Sequence, residues 1–346
     1  MNILLIQLKR IGDLILTTPA IEAVRQKFPE AKITLVVSRG CADLLPAIPG
    51  IERSYLMRRS PADLRVFLAI ARTRFYASVD FTRNTRSALL TYLSRAEKRI
   101  GSHRIHRRAP IRRHAYNEFV EGRMRDRHMV DYNLSLLEPL GIRDVSPPVR
   151  LVVPAEAAHT AAELLRKFHI QKRFVIFHPG SARSEKFWQP DRWAEVISHA
   201  IKKWDVTAVL TGGSSPDEKS HVAQIESLLP RPVGTSPPSV VDLSGKIDLL
   251  TLTALTAEAR LLVTVDSAPM HLAAATNTPQ VVLFGPTNPF HWRPRQASAL
   301  ILQGDSDKPR TEFAPRQDRL PMKLISTQAV IDAMSSLLSI PAAKVL

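Results

Sequence analysis

Short apolar runs alternate with amphipathic stretches along almost the whole chain. In the first half, apolar runs predict strands at residues 3–8, 33–37, 53–57 and 77–81, and helical spacing predicts helices at 14–27, 61–74, 85–94 and 130–140. The helix at 61–74 is expected to start at Ser60 and Pro61, a capping residue followed by proline in the first turn. In the second half the predicted strands are 174–177, 207–210, 240–243, 261–265 and 281–284, and the predicted helices are 155–168, 191–203, 217–228, 249–258, 270–275 and 327–338. This alternation predicts parallel sheets covered by helices on both faces.

A chain of 346 residues is long enough for two domains of ordinary size. The segment Ser146-Pro-Pro-Val-Arg150 is the natural linker between them. The predicted architecture is therefore α/β, with two doubly wound domains, residues 1–150 and 151–346, facing one another across a cleft.

The charge is uneven, since residues 1–150 contain 27 lysines and arginines against 14 acids, whereas residues 151–346 contain 21 against 18. The densest basic stretch, 95–127, includes Arg104, Arg107 and Arg112. It is either a solvated loop or a surface for phosphate-bearing partners such as nucleic acid, an anionic leaflet or a phosphorylated glycolipid.

The single cysteine, Cys41, excludes an intramolecular disulfide framework and suits a reducing compartment. No apolar run reaches the roughly 20 residues that span a bilayer, so we expect a soluble or peripheral protein.

The segment from His178 to Pro190 places small residues and one lysine between a predicted strand and a predicted helix, where open α/β sheets hold phosphates. Ser181 and Ala182 leave backbone N–H groups free to approach phosphate oxygens, and Lys186 supplies a cation for a diphosphate. The alternative for Lys186 is an ordinary surface lysine. Trp188 is expected to anchor the loop by packing beneath it.

Two further turns of the second half have the same character. Glu218, after Thr211-Gly-Gly-Ser-Ser-Pro-Asp217, is either a ribose contact or a first-turn acid that favours the helix dipole. In the turn Asp266-Ser267-Ala268-Pro269-Met270-His271, Ser267 is expected to cap a helix whose N–H groups face a pyrophosphate, with His271 on the same side. No HxH, HExxH or paired-cysteine spacing occurs, so no metal site is predicted.

The first predicted strand ends in Lys9-Arg10-Ile11-Gly12-Asp13. Asp13 is therefore expected at the mouth of a ligand crevice, where a partly buried carboxylate is able to accept a proton from a sugar hydroxyl. The alternative is that Asp13 is the N-cap residue of the following helix.

Taken in order, these motifs, together with Phe284-Gly-Pro-Thr287 and the closing segment Pro321–Val330, resemble the bacterial lipopolysaccharide heptosyltransferase family. The resemblance implies a GT-B glycosyltransferase with two Rossmann-like domains, the first binding the acceptor and the second the ADP-sugar, and with the closing helix 327–338 packing back on the first. It implies inverting transfer of heptose from ADP-heptose to the lipopolysaccharide inner core, with no cofactor and no metal. The acceptor would be an anionic glycolipid of the lipid A and Kdo type, met at the cytoplasmic membrane face by a cytoplasmic, peripheral enzyme.

Residue by residue, the resemblance makes Asp13 the general base and Lys186 the diphosphate contact. The implied donor site also contains Ser181, Ala182, Glu218, Asp266, Ser267, Ala268 and His271, and the acceptor is assigned to Lys9, Arg10, Gly12, Arg104 and Arg107.

The chain departs from the family pattern at two places. Arg319-Leu-Pro321 stands where many relatives have cysteines, and Lys9-Arg10 gives the acceptor loop two charges. Another phosphorylated glycan is therefore a second candidate for the acceptor. Two rival functions are those of a sugar-nucleotide epimerase or hydrolase and of a non-catalytic nucleic-acid-binding protein, although aromatic residues make up only 6% of the chain.

Overall fold

A computed structural model describes residues 1–108, 112–170, 173–229 and 239–339, with side chains omitted at 106–108. The chain divides into two compact units, Met1–Val152 and Val153–Leu346. The predicted linker ends inside the first unit, because the Arg150 N–H donates to Thr18 Oγ1 at 3.2 Å and the Val152 N–H donates to the Ala47 carbonyl at 2.9 Å.

The first unit is a six-stranded parallel sheet in the order β3-β2-β1-β4-β5-β6. Its strands are β1 Asn2–Gln7, β2 Lys32–Ser38, β3 Arg53–Met57, β4 Ala77–Asp80, β5 Lys98–Ser102 and β6 Glu118–Val120. Its helices are α1 Ile11–Ile15, α2 Thr18–Lys27, α3 Asp63–Arg72, α4 Thr85–Leu93, α5 His103–Arg108 and α6 Met129–Ser135. Strand β1 lies at the centre, and its residues Ile3 to Ile6 are completely buried because helices cover both faces of the sheet.

The second unit repeats the same strand order, which within the unit reads β9-β8-β7-β10-β11-β12. Its strands are β7 Phe174–His178, β8 Thr207–Leu210, β9 Val240–Asp242, β10 Leu261–Val265, β11 Gln280–Phe284 and β12 Ala299–Gln303. Its helices are α7 Ala155–Lys167, α8 Pro190–Trp204, α9 Pro216–Leu228, α10 Leu249–Glu258, α11 Ala268–Ala275, α12 Pro289–Trp292 and α13 Thr327–Leu338. Both sheets therefore have the Rossmann order, in which the strand order reverses between the first and fourth strands.

The predicted α/β fold class is confirmed, but several elements differ from the prediction. Strands β5, β6 and β12 were not predicted; β5 and β6 lack a clear apolar run, whereas the run Ala299-Leu-Ile-Leu302 of β12 was missed. The single helix predicted at 14–27 is wrong: it is two helices, separated at Leu16 and Thr17. The Thr17 hydroxyl donates to the Asp13 carbonyl at 2.7 Å, and Pro19 starts α2 in its first turn. The helix predicted at 130–140 likewise ends as α6 at Ser135 and is followed by a 3-10 turn, Glu138–Leu140.

The predicted start of α3 at Ser60 and Pro61 is also wrong. Residues 60–62 form a turn, and the helix begins at Asp63. The Asp63 carboxylate accepts hydrogen bonds from the N–H groups of Arg58 at 2.7 Å and Arg59 at 3.0 Å. Asp63 thus stabilises the turn before the helix, because its buried carboxylate requires hydrogen-bond donors and these two backbone N–H groups provide them.

The closing helix α13 packs on α8 and on strands β10, β11 and β12 of the second unit. Its residues Ala329, Val330 and Met334 are buried in that unit's core. The apolar face of α13 therefore belongs to the core of the second unit. Among the described residues, no helix is both long and apolar enough to cross a bilayer.

Candidate active site

The two loops predicted to bind phosphate lie next to each other in the second unit. Strands β7 and β10 pair in parallel at the point where the strand order reverses, with His178 opposite Thr264. The Thr264 hydroxyl donates to the His178 carbonyl at 3.1 Å, which joins the two strand ends. Ligands of open α/β sheets bind in the crevice at this reversal.

Lys186 and Asp266 form a closely paired cation and carboxylate in this crevice. Lys186 Nζ lies 2.6 Å from Asp266 Oδ2 and 3.0 Å from the Asp266 carbonyl oxygen. The two side chains are 13% and 7% exposed, so Lys186 is not an ordinary surface lysine. The structure thus brings together two residues that were predicted separately as donor contacts. An ammonium group held at a partly buried strand end is a suitable counter-ion for a diphosphate.

Trp188 fixes the loop that presents Lys186. Its indole is fully buried, donates from Nε1 to the Ile325 carbonyl at 3.1 Å, and lies edge-on to Trp193 with ring centroids 5.4 Å apart. The prediction that Trp188 anchors the loop by packing is confirmed.

Glu218 lies in the first turn of α9. Its Oε2 accepts from the Gly213 N–H at 2.8 Å, and its backbone N–H donates to the hydroxyl of Ser215, the N-cap residue of that helix. A Cβ atom at Gly180 would overlap this carboxylate, which explains the glycine in the first loop. The helix-terminus interpretation is therefore observed, and the ribose contact remains a prediction.

The turn after β10 differs from the prediction in one respect. Ser267 occupies the N-cap position of α11, but its hydroxyl makes no capping bond and instead lies 3.3 Å from the Val265 carbonyl oxygen, which accepts from it. Ser267 is therefore the N-cap residue, as predicted, but its side chain makes no capping hydrogen bond. The N–H groups of Ser267 and Ala268 stand at the helix terminus, where no intrahelical acceptor exists. Along the chain they follow Asp266, the partner of Lys186.

His271 is buried one turn into α11, and its Nδ1 has no hydrogen-bond partner among the described residues. Burial lowers the pKa of its imidazole to about 4. The charge of Asp266 acts to raise that pKa, and the charge of Lys186 acts to lower it. The imidazole is therefore neutral at neutral pH. Of the two residues predicted to line the diphosphate, Ser181 is buried and Ala182 is exposed.

His178 provides a prediction about stability against pH. Burial lowers its pKa to about 4, and its Nδ1 lies 2.9 Å from the Thr211 hydroxyl. The unfolded imidazole takes up a proton below about pH 6.5 whereas the folded one stays neutral, so the free energy of unfolding should fall by about 2 kcal/mol from this residue between pH 7 and pH 5. Urea unfolding of His178→Gln should show a correspondingly flatter pH dependence. His159→Gln, at an exposed position, should retain the full dependence, and equal slopes for all three proteins would contradict the assignment.

In the first unit, Asp13 lies in the loop that follows β1, as predicted. It is the third residue of α1, not its N-cap, and its Oδ2 accepts from the Arg10 N–H at 3.3 Å. Lys9 Nζ lies 3.7 Å from Asp13 Oδ1, and burial of Lys9 lowers the pKa of its ammonium while Asp13 opposes that shift. The Asp13 side chain is 13% exposed, so its carboxylate is partly buried. Gly12 precedes it on α1.

The structure adds a neighbouring loop that was not predicted as functional. Strand β4 pairs with β1 where the first sheet reverses its order, and it ends at the fully buried Asp80. The Asp80 carboxylate accepts from the N–H groups of Thr82 and Arg83 and from the hydroxyls of Ser87 and Tyr116 at 2.6–3.0 Å. The Thr82 hydroxyl in turn accepts from the Leu8 N–H at 2.6 Å, which connects this loop to the loop containing Lys9 and Asp13.

Arg83 is the functional candidate in that loop. It has a left-handed φ of 68°, its guanidinium carbon lies 5.2 Å from the Tyr132 ring centroid, and its buried Nε has no hydrogen-bond partner among the described residues. Its positive charge contributes to the lowered pKa of Lys9. The only sequence signal was an acid, Asp80, at the end of a predicted strand.

The basic stretch 95–127 is partly structural. Arg99 donates to the carbonyls of Ala115 and Ala96 at 3.0 Å, and Arg112 donates to the Arg83 carbonyl at 2.9 Å. Arg104 is exposed on α5, and the side chain of Arg107 lies outside the described residues. Arg10 is exposed next to Lys9. Within the part of the chain that the structure describes, no group of three or more histidine, cysteine or acidic side chains is arranged to hold a metal ion.

Similarity to known proteins decides the family. The sequence profile described as Glycosyltransferase family 9 (heptosyltransferase) matches residues 64–320. The chain belongs to glycosyltransferase family 9. This heptosyltransferase family member is 27% identical to lipopolysaccharide heptosyltransferase 3 of Escherichia coli over 336 residues, which cover 94% of this chain and 96% of the relative.

Solved structures confirm the fold of this heptosyltransferase. A glycosyl transferase family 9 protein from Veillonella parvula superposes with a TM-score of 0.82 at 25% identity, covering 97% of each chain. The Escherichia coli ADP-heptose lipopolysaccharide heptosyltransferase II superposes with a TM-score of 0.78 at 22% identity, covering 98% of each chain. The chain is therefore a glycosyltransferase with the fold of these enzymes.

Proposed function

We propose that this glycosyltransferase moves heptose from ADP-heptose to the inner core of lipopolysaccharide, with inversion at the anomeric carbon. The observation that supports it best is the Lys186–Asp266 pair at the order reversal of the second sheet, in a chain of the heptosyltransferase family. The names of the Escherichia coli relatives support ADP-heptose as donor and lipopolysaccharide as acceptor.

In the proposed reaction, the Asp13 carboxylate takes the proton of an acceptor hydroxyl. The hydroxyl oxygen forms the new bond to the anomeric carbon, and the bond from that carbon to the diphosphate breaks, with both its electrons leaving on ADP. The Lys186 ammonium and the N–H groups of Ser267 and Ala268 stabilise the charge that develops on the leaving diphosphate. Ser181, Ala182, Glu218 and His271 complete the donor site.

We propose that Lys186 provides the cation that a divalent metal provides in other glycosyltransferases. Turnover should then be unchanged by a chelator and by added magnesium. The acceptor contacts are assigned to the first unit, where Lys9 and Arg83 supply partly buried positive charge and Arg10 and Arg104 supply exposed charge. Residues 1–150 are thus proposed as the acceptor-binding part and 151–346 as the ADP-sugar-binding part, of an enzyme that acts at the cytoplasmic membrane face.

The deciding experiment supplies ADP-heptose with a panel of truncated lipopolysaccharides and identifies by mass spectrometry the acceptor that gains one heptose unit. We expect a single member of the panel to be modified. Modification of a different phosphorylated glycan would support transferase activity but contradict the proposed acceptor. Release of free heptose without any acceptor would contradict transfer and favour a hydrolase.

A further inference from the structure

Four large hydrophobic side chains are exposed on two neighbouring helices of the first unit. Leu64 and Leu68 on α3 are 61% and 43% exposed, and Leu89 and Tyr92 on α4 are 43% and 61% exposed. Spacings of four and three residues place each pair on one side of its helix. Only five other large hydrophobic residues are exposed in the described ranges, and they are scattered through the sequence.

The opposite sides of both helices belong to one core. Val66 and Ile70 of α3 and Leu90 of α4 are buried in a single cluster with Leu4 and Ile6 of β1. The helices therefore cover the same face of the first sheet and contact each other. Their exposed pairs lie on the solvent side, in a patch that we call the α3–α4 face.

The segment that carries the α3–α4 face, residues 58–95, has exposed arginines but no exposed acid. The exposed arginines between residues 58 and 95 are Arg58, Arg59, Arg65, Arg72, Arg74, Arg86 and Arg95. The acids of the same segment, Asp63 and Asp80, are both buried and hydrogen-bonded to the backbone. None of these arginines forms an ion pair with an acid in the described parts of the chain. This segment therefore presents both apolar and cationic side chains to solvent.

We propose that the α3–α4 face docks on the surface of an anionic lipid bilayer. Leucine and tyrosine side chains at this spacing insert at the boundary between headgroups and acyl chains, while the long arginine side chains reach lipid phosphates. A second copy of the chain fits less well, because a two-fold interface would bring this arginine-rich surface against itself. A nucleic acid fits less well because the centre of the face offers three leucines and only one aromatic ring for stacking.

Docking would also place the acceptor residues near the bilayer. Helix α4 begins at Thr85, two residues after Arg83, so the face starts next to the loop that contains Asp80 and Arg83. This link to a lipid-anchored acceptor rests on the proposed function, whereas binding to lipid does not.

Vesicle flotation tests the proposal with neither donor nor acceptor present. The intact protein should float with vesicles of phosphatidylcholine and phosphatidylglycerol, and weakly or not at all with phosphatidylcholine alone. Leu64→Ser/Leu68→Ser and Leu89→Ser/Tyr92→Ser should each lower the partition coefficient at least about tenfold, since each removes two inserting side chains. Leu228→Ser is the matched control, because Leu228 is 54% exposed on α9 of the second unit and should leave binding within about twofold.

Three results would overturn the proposal. These are no flotation of the intact protein, equal flotation of both double variants and the control, or a concentration-dependent dimer that both double variants abolish. Melting temperatures close to that of the intact protein would show that the variants fold. With a de-acylated, water-soluble acceptor, the double variants should retain turnover. Vesicle binding without transferase activity would contradict the proposed function and leave the docking proposal standing. Transferase activity without vesicle binding would contradict the docking proposal and leave the proposed function standing.

Discussion

Replacing Asp13 by asparagine is expected to lower turnover by at least about a hundredfold, the loss typical of removing a general base. Asparagine retains an oxygen that is able to accept from the Arg10 N–H, so the start of α1 should survive. The carboxylate that takes the acceptor proton is lost. Steady-state turnover at saturating donor and acceptor is the measurement.

Comparison of two substitutions separates catalysis from capping. Asp13→Ala loses both the base and the hydrogen bond to Arg10, so it should lower turnover as much as Asp13→Asn and also lower the melting temperature. Asp43→Asn changes an exposed acid of the same unit and should behave as the unaltered enzyme. Near-normal turnover of Asp13→Asn, with loss only in Asp13→Ala, would restrict Asp13 to a structural role.

Replacing Lys186 by methionine is expected to weaken ADP binding by about a hundredfold or more. The substitution removes the cation and leaves the Asp266 carboxylate, 7% exposed, without its partner at 2.6 Å. A charge-assisted hydrogen bond contributes about 1.5–3 kcal/mol, and the remaining Asp266 anion adds repulsion with the diphosphate. Isothermal titration with ADP measures the change.

The pair can be dissected by a double-mutant cycle. Asp266→Asn in the Lys186→Met background should recover part of the lost ADP affinity, because it removes the repelling anion. Lys246→Met is the matched control, since Lys246 pairs with Asp242 at the same 2.6 Å in the same unit but is 57% exposed. That control should leave ADP affinity unchanged. An unchanged affinity in Lys186→Met would show that Lys186 does not contact the diphosphate.

The sequence predicted the strands and helices nearest the site well because these strands are almost entirely apolar. Phe174–His178 and Leu261–Val265 are buried throughout, and such runs stand out in any window. The sequence did not predict β5, because this strand begins with Lys98 and Arg99 and its burial depends on the neighbouring strands. It also failed at Ser60, because the carboxylate that orders the turn comes three residues later, at Asp63.

The phosphate-binding loops were predicted individually, since a lysine or a helix start after a strand is a local feature. The hydrogen bonds of their polar groups were not predicted. The partners of a hydroxyl or a carboxylate depend on which donors and acceptors lie nearby in the folded loop. Ser267 donates to the Val265 carbonyl instead of capping α11. The Glu218 carboxylate accepts from the Gly213 N–H in the turn before α9.

By itself, then, the sequence determined two parallel α/β units, the loops at their strand ends and the uneven charge, all of which follow from periodicity and local chemistry. The tertiary structure decided which loops meet. Lys186 and Asp266 are 80 residues apart, and Leu8 and Thr82 are 74 apart, yet each pair touches. The order reversal of each sheet makes neighbours of its first and fourth strands. Strand order is set by the packing of the whole unit, which no local pattern of residues encodes.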